Sequence, residues 1–100
     1  MKNERFIVRV NSDIIDLMPE FLMNRSSDIS RIHENINKGD YRAIAEIGHK
    51  LKGSGSMYGL GRISELGKVI EQAALDKNMF QLKHACAQLA EYLTKVRIII

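Results

Sequence analysis

Four long stretches of this chain repeat apolar residues at three- and four-residue steps, the spacing of amphipathic helices. The first runs from about Pro19 to Asn37, with Leu22, Arg25, Ile29, Ile32 and Ile36 along one face. The second covers Tyr41 to Met57 or Tyr58. The third, from about Arg62 to Leu75, carries Ile63, Leu66, Ile70, Ala73 and Ala74 on one side. The fourth, from about Met79 to Val96, turns Leu82, Cys86, Leu89 and Leu93 inward. Ahead of them, Asn11-Ser12-Asp13 is a start signal for a brief additional helix, and Pro19 either ends that helix or opens the next. Phe6 to Val10 alternates loosely and reads as an extended arm.

The breaks between the stretches are short. Lys38-Gly39-Asp40 closes one helix with glycine and caps the next with aspartate. Gly59-Leu60-Gly61 and Asp76-Lys77-Asn78 are similarly tight. Loops of this length suit antiparallel neighbours, so the expected fold is all-α: an antiparallel up-down-up-down four-helix bundle with a short extra N-terminal helix. The whole of residues 1–100 reads as one domain, with an arm over 1–10 and the bundle over about 11–97. The abrupt end at Ile98-Ile99-Ile100 is what a cut made in a longer protein would leave.

Composition narrows the function classes. Apolar residues make up 45% of the chain, enough for one modest core but not for an enzyme with a deep cleft. The net charge of +3 is spread out, with no basic run longer than two, which weakens any nucleic-acid reading. Cys86 is the only cysteine, so an internal disulfide is excluded and a reducing, cytoplasmic setting fits. Its place on the last apolar stripe makes it a core residue. No apolar run approaches the roughly 18 residues of a membrane span, and the N-terminus lacks the pattern of a signal peptide. A monomer is expected.

The candidate chemistry lies on the second long helix. At roughly 100° per residue, Ile44, Ile47, Gly48, Leu51, Ser54, Gly55 and Tyr58 form the core stripe. Arg42, Ala45, His49, Lys52, Gly53 and Ser56 fall opposite. Two glycines, Gly53 and Gly55, alternate with two serines close to the histidine, although an interior glycine costs a helix about 1 kcal/mol relative to alanine. A bare backbone beside the ring would give a bulky partner room to reach it. An imidazole, with an ordinary pKa of about 6.5, is a nucleophile at neutral pH. Phosphorylated, it would place nearly two negative charges on the helix, which Lys52 one turn on would stabilise. An exposed histidine without a role is the plain alternative on the helical wheel alone.

The run His49-x-Leu51-Lys52-Gly53-Ser54, with Gly59 ten residues after the histidine, resembles the signature of the histidine phosphotransfer (HPt) domain family. Leu17-x-Pro19-x-Phe21-Leu22, Asn24-Arg25, Gly39-Asp40, Leu66 and Glu71 extend the resemblance over about residues 11 to 95. Gly55 and Met57 depart from the commoner residues at their positions, and Lys50 adds positive charge that would favour acidic partners. The resemblance implies a phosphorelay carrier in two-component signalling. His49 would accept a phosphoryl group from a receiver-domain aspartate and pass it to another. Lys52 would pair with the phosphoryl oxygens, and Glu71 would hydrogen-bond the second ring nitrogen and orient the imidazole. Receivers would dock on Arg42, Ala45, Lys50, Gly53, Ser56 and Met57. The partners implied are response-regulator receivers or a hybrid sensor kinase. No cofactor is expected, and any metal would come with the receiver. The chain has no nucleotide loop of its own, so enzyme status stays open.

Other readings compete. His33, His49 and His84 lie on three different helices without ligand spacing, which disfavours a metal site. His33 is expected to flank the core and His84 to face solvent. A helical binding module without phosphotransfer is a second reading, opposed by the presence of His49. A third is the phosphoacceptor domain of a hybrid or chemotaxis-type sensor kinase. Tyr58 is expected to extend its core stripe, and Met18, Met23, Met57 and Met79 to fill gaps at helix ends or flanks, with receiver docking as a second role for Met57.

Overall fold

In the computed structural model, which describes residues 6–100, local capping chemistry sets the helix ends. The side chain of Asn11 accepts a hydrogen bond from the Asp13 amide at 2.8 Å and starts a 3-10 helix over Ser12–Leu17. That turn runs directly into α1 (Met18–Lys38), with Pro19 in the first turn, so the proline opens the long helix. Gly39, at φ +71°, ends α1 in the left-handed conformation that glycine adopts without penalty. Asp40 then caps α2 (Tyr41–Met57) through the Ala43 amide. After a turn at Gly59, α3 spans Gly61–Leu75. Asn78 caps α4 (Met79–Lys95) through the Gln81 amide.

The four helices form a ring of neighbours. α1 packs on α2 and α4, and α3 on α2 and α4, with the α2–α3 interface the most extensive. Ile32, Ile44, Leu51, Leu60, Ile63, Ile70, Leu82 and Leu89 are fully enclosed between them. Tyr92 is also buried there, although the expected inward positions of the last helix omit it. Leu93 packs only partly against the core. Tyr58 is half-buried, and its ring stacks on Phe21 with centroids 4.4 Å apart.

Three expectations need correction. The region read as an extended arm over residues 1–10 includes 1–5, which lie outside the described residues. Phe6–Arg9, within it, is extended as read, but it is a paired strand, β1, and not an arm standing apart from the bundle. It pairs in parallel with β2 (Val96–Ile99), placing Phe6 opposite Val96 and Arg9 opposite Ile99. The last helix therefore stops at Lys95, because Val96 turns to φ −71°, ψ 137° and enters the strand. Parallel strands need a long crossover, and here the whole bundle supplies it. Second, His33 is exposed and does not flank the core. Third, of the four methionines expected to fill gaps, Met23 and Met57 project into solvent, whereas Met18 is buried and Met79 packs partly on the core.

A buried carboxylate was not foreseen. Asp28 on α1 bonds Arg25 Nε at 2.8 Å and Arg31 Nη2 at 3.0 Å, so its charge is matched from both sides. Arg25 in turn lies over the Phe21 ring and reaches Ser54 Oγ at 3.4 Å, tying α1 to α2.

Burial pushes the Cys86 thiol up from 9.0 to about 11. The folded chain thus keeps a proton that the unfolded chain begins to lose near 9, and this group's contribution to stability falls as pH rises through that window. Cys86 is expected to resist a thiol reagent at pH 8 in the native protein and to react fully once denaturant unfolds it. Rapid native labelling would show that the last helix opens locally.

Candidate functional site

The α2–α3 crossing positions the site, and glycines set how closely the two helices approach. Gly48 and Gly55, two turns apart, lie on the face of α2 that meets α3. A Cβ on Gly48 would stand 2.6 Å from the Glu71 amide nitrogen, and one on Gly55 would stand 2.5 Å from that of Ser64. From the opposite side, a Cβ on Gly67 would meet the Lys52 nitrogen at 2.5 Å. The backbones are in contact along this seam, with no space for a side chain. Gly55 therefore serves helix packing and does not open space around His49, as its place beside the motif had suggested. Gly53 is different: a Cβ there would find nothing within 4 Å.

The close crossing brings Glu71 on α3 up to His49 on α2. Glu71 Oε2 lies 3.2 Å from His49 Nδ1, and Lys52 Nζ lies 4.0 Å from Glu71 Oε1. A carboxylate only accepts, so the ring donates through Nδ1–H and its lone pair sits on Nε2. Nε2 has no hydrogen-bond partner among the described residues. The His49 side chain is 66% exposed, that of Lys52 43%, and that of Glu71 25%. The result is an outward-facing nucleophilic nitrogen with a cation beside it and a half-buried acceptor behind it.

The other expected positions divide. Arg42 and Lys50 are exposed and line a groove next to the ring. Ala45, expected on the exposed face, is 8% exposed. It lies in the crease where α3 meets α2, and a helical wheel of α2 alone does not contain that neighbour. Met57 is exposed at the far end of the helix. Ser56 is exposed but tied down, its Oγ 3.0 Å from Ser64 Oγ. Since Ser64 donates its hydroxyl hydrogen to the Lys52 carbonyl at 2.8 Å, Ser56 is the donor of that pair.

Ser64, Gly67, Glu46 and Leu75 also border the site, and the sequence had singled out none of them for it. The seven-residue spacing of Gly48 and Gly55, with Gly67 on the next helix, is a signal from which the seam could have been read. His33 and His84 are exposed elsewhere, and His84 stacks against Phe80. Among the described residues no three His, Cys, Asp or Glu side chains gather as metal ligands, and no helix is long and apolar enough to cross a membrane.

Comparison with curated proteins finds no match, and comparison with solved structures finds none. The family model of the Hpt domain matches residues 16–97. That span takes in all four helices and the outward-facing histidine, and the chain belongs to the Hpt domain family.

Proposed function

We propose that His49 is the phosphoacceptor of a phosphorelay carrier, taking a phosphoryl group from an aspartyl phosphate of one receiver domain and delivering it to the aspartate of another. Membership of the Hpt family implies histidine phosphotransfer in two-component phosphorelay. The observation that carries the residue assignment is the His49–Glu71 bond, which leaves an exposed Nε2 as the basic nitrogen.

In the forward step the Nε2 lone pair attacks phosphorus. The bond from phosphorus to the aspartyl oxygen breaks, and the aspartate leaves as a carboxylate. The Nδ1 proton stays on the ring, where Glu71 balances the cationic character that the imidazole acquires. Lys52 is on a flexible stem and only loosely paired at 4.0 Å, so it can turn from Glu71 to the new phosphoryl oxygens. The acceptor step reverses this sequence on a second receiver. Arg42, Lys50 and Gly53 form the docking face around the ring, and Ser56 and Met57 extend it toward the end of α2. The short loops accord with an antiparallel up-and-down course of the helices, which leaves that face uncovered. In this reading the chain works as a monomer in the cytoplasm, where a lone thiol stays reduced.

The direct test incubates the chain with phosphorylated receiver domains and reads its intact mass. Gain of one acid-labile phosphoryl group is expected; no gain from any receiver or from phosphoramidate would overturn the assignment. Lys52→Ala is expected to slow uptake about tenfold, the scale of one lost charge-assisted hydrogen bond. Rapid-quench rates that match the parent chain would remove that role from Lys52.

A further inference from the structure

Beside the imidazole, toward the start of α2, the α2–α3 crease opens into a groove of about 330 Å³. Its apolar lining comes from Ala45 and Leu75, and Arg42, Glu46 and Lys50 add charges around it. Leu75, the last residue of α3, is 62% exposed, although Ala73 and Ala74 just before it are buried. Packing within the fold leaves most of this leucine in water next to a reactive ring. The transfer chemistry does not use it, since that chemistry needs only His49, Lys52 and Glu71.

We propose that this groove receives an apolar side chain of the protein that carries the aspartyl phosphate, and that Leu75 thereby determines which partner docks productively. The inference rests on His49 being the phosphoacceptor. Charge on this face selects the occupant. Arg42 and Lys50 line the groove with Glu46 and Glu71, and Lys52 beside Glu71 tips the charge around the ring to a net positive. Such a face attracts an acidic partner surface carrying a phosphoryl group more than a second copy of itself, which would bring the same excess of positive charge. The charges steer and orient the encounter. The apolar contact, desolvated at the centre of the interface, holds the complex long enough for transfer.

The test compares the full chain with Leu75→Gln and Leu75→Met by two routes. Phosphoramidate, too small to use the groove, is expected to phosphorylate all three at the same rate. Receiver domains of the source organism, loaded from labelled acetyl phosphate, supply the second route. With them Leu75→Gln is expected to require about tenfold more receiver for half-maximal transfer at an unchanged plateau rate, the scale of one lost apolar contact. Leu75→Met should behave as the parent. An unchanged receiver dependence in Leu75→Gln overturns the groove. So does a parent chain that accepts phosphate from phosphoramidate but from no receiver, and in that case His49 keeps its role. A chain that accepts from neither overturns both.

Discussion

His49→Gln is expected to take up no acid-labile phosphate from any donor while melting within a few degrees of the parent chain. The two halves of this expectation have separate causes. Uptake is lost because the amide nitrogen of glutamine has no basic lone pair to offer phosphorus. Stability is kept because the ring is 66% exposed and its bond to Glu71 is a surface interaction, of a kind worth about 0–1 kcal/mol. The glutamine amide can still donate to the Glu71 carboxylate, so no acceptor is stranded. Labelling with phosphoramidate, followed by acid treatment and a thermal melt, reads both halves. Acid-labile phosphate on the variant would move the acceptor to His33 or His84, the other two histidines. A large drop in melting temperature would mean that the ring supports the fold.

Much of the helical frame was legible because its punctuation is local. Gly39 and Asp40 act within a turn of where they stand, and so does Asn78. The outward position of His49 was legible for the same reason, since a helical wheel needs only the spacing along one helix. What failed depends on distant partners. Phe6 cannot announce that it will lie opposite Val96, because nothing near it encodes a strand ninety residues away. Ala45 looks exposed on its own helix and is covered only once α3 crosses. Asp28 is the exception, since Arg25 and Arg31 stand three residues to either side of it on the same helix and their pairing was open to a local reading. The link from Glu71 to His49 came from family resemblance and not from spacing, because the pairing exists only at a particular distance between α2 and α3.

That distance is set by the glycine seam, which makes the seam part of the chemistry. The Gly48 Cα faces the Glu71 backbone, and the Gly67 Cα faces the Lys52 backbone. Two of the three close approaches along the seam thus fall at the two residues that flank the histidine in space; the third, Gly55 against Ser64, lies further along α2. Were α2 and α3 held apart by ordinary side chains, the Glu71 carboxylate would withdraw from Nδ1 and the ring would lose its fixed tautomer.

Gly48→Ala and Gly67→Ala are therefore expected to destabilise the protein by about 3 kcal/mol or more, at or beyond the upper end of usual overpacking costs. The added methyl groups would fall 2.5–2.6 Å from backbone nitrogens, and backbone cannot rotate aside as a flexible side chain can. Gly53→Ala is the control. Its Cβ meets nothing within 4 Å, so the ordinary gain of alanine over glycine in a helix, about 1 kcal/mol, should appear as added stability. Gly53→Gln should likewise keep the fold but crowd the approach to His49, blocking transfer from receivers while small phosphodonors still react. Urea melts of the alanine variants give the stability order, and phosphoramidate labelling of Gly48→Ala and Gly67→Ala below their melting temperatures gives the coupling to the site. Slower labelling in the native fraction is expected, because the same methyl that strains the crossing also separates Glu71 from the ring. If both variants were as stable as the parent and labelled as fast, α2 and α3 would have room that the backbone contact denies them, and the account of how Glu71 reaches His49 would fail with it.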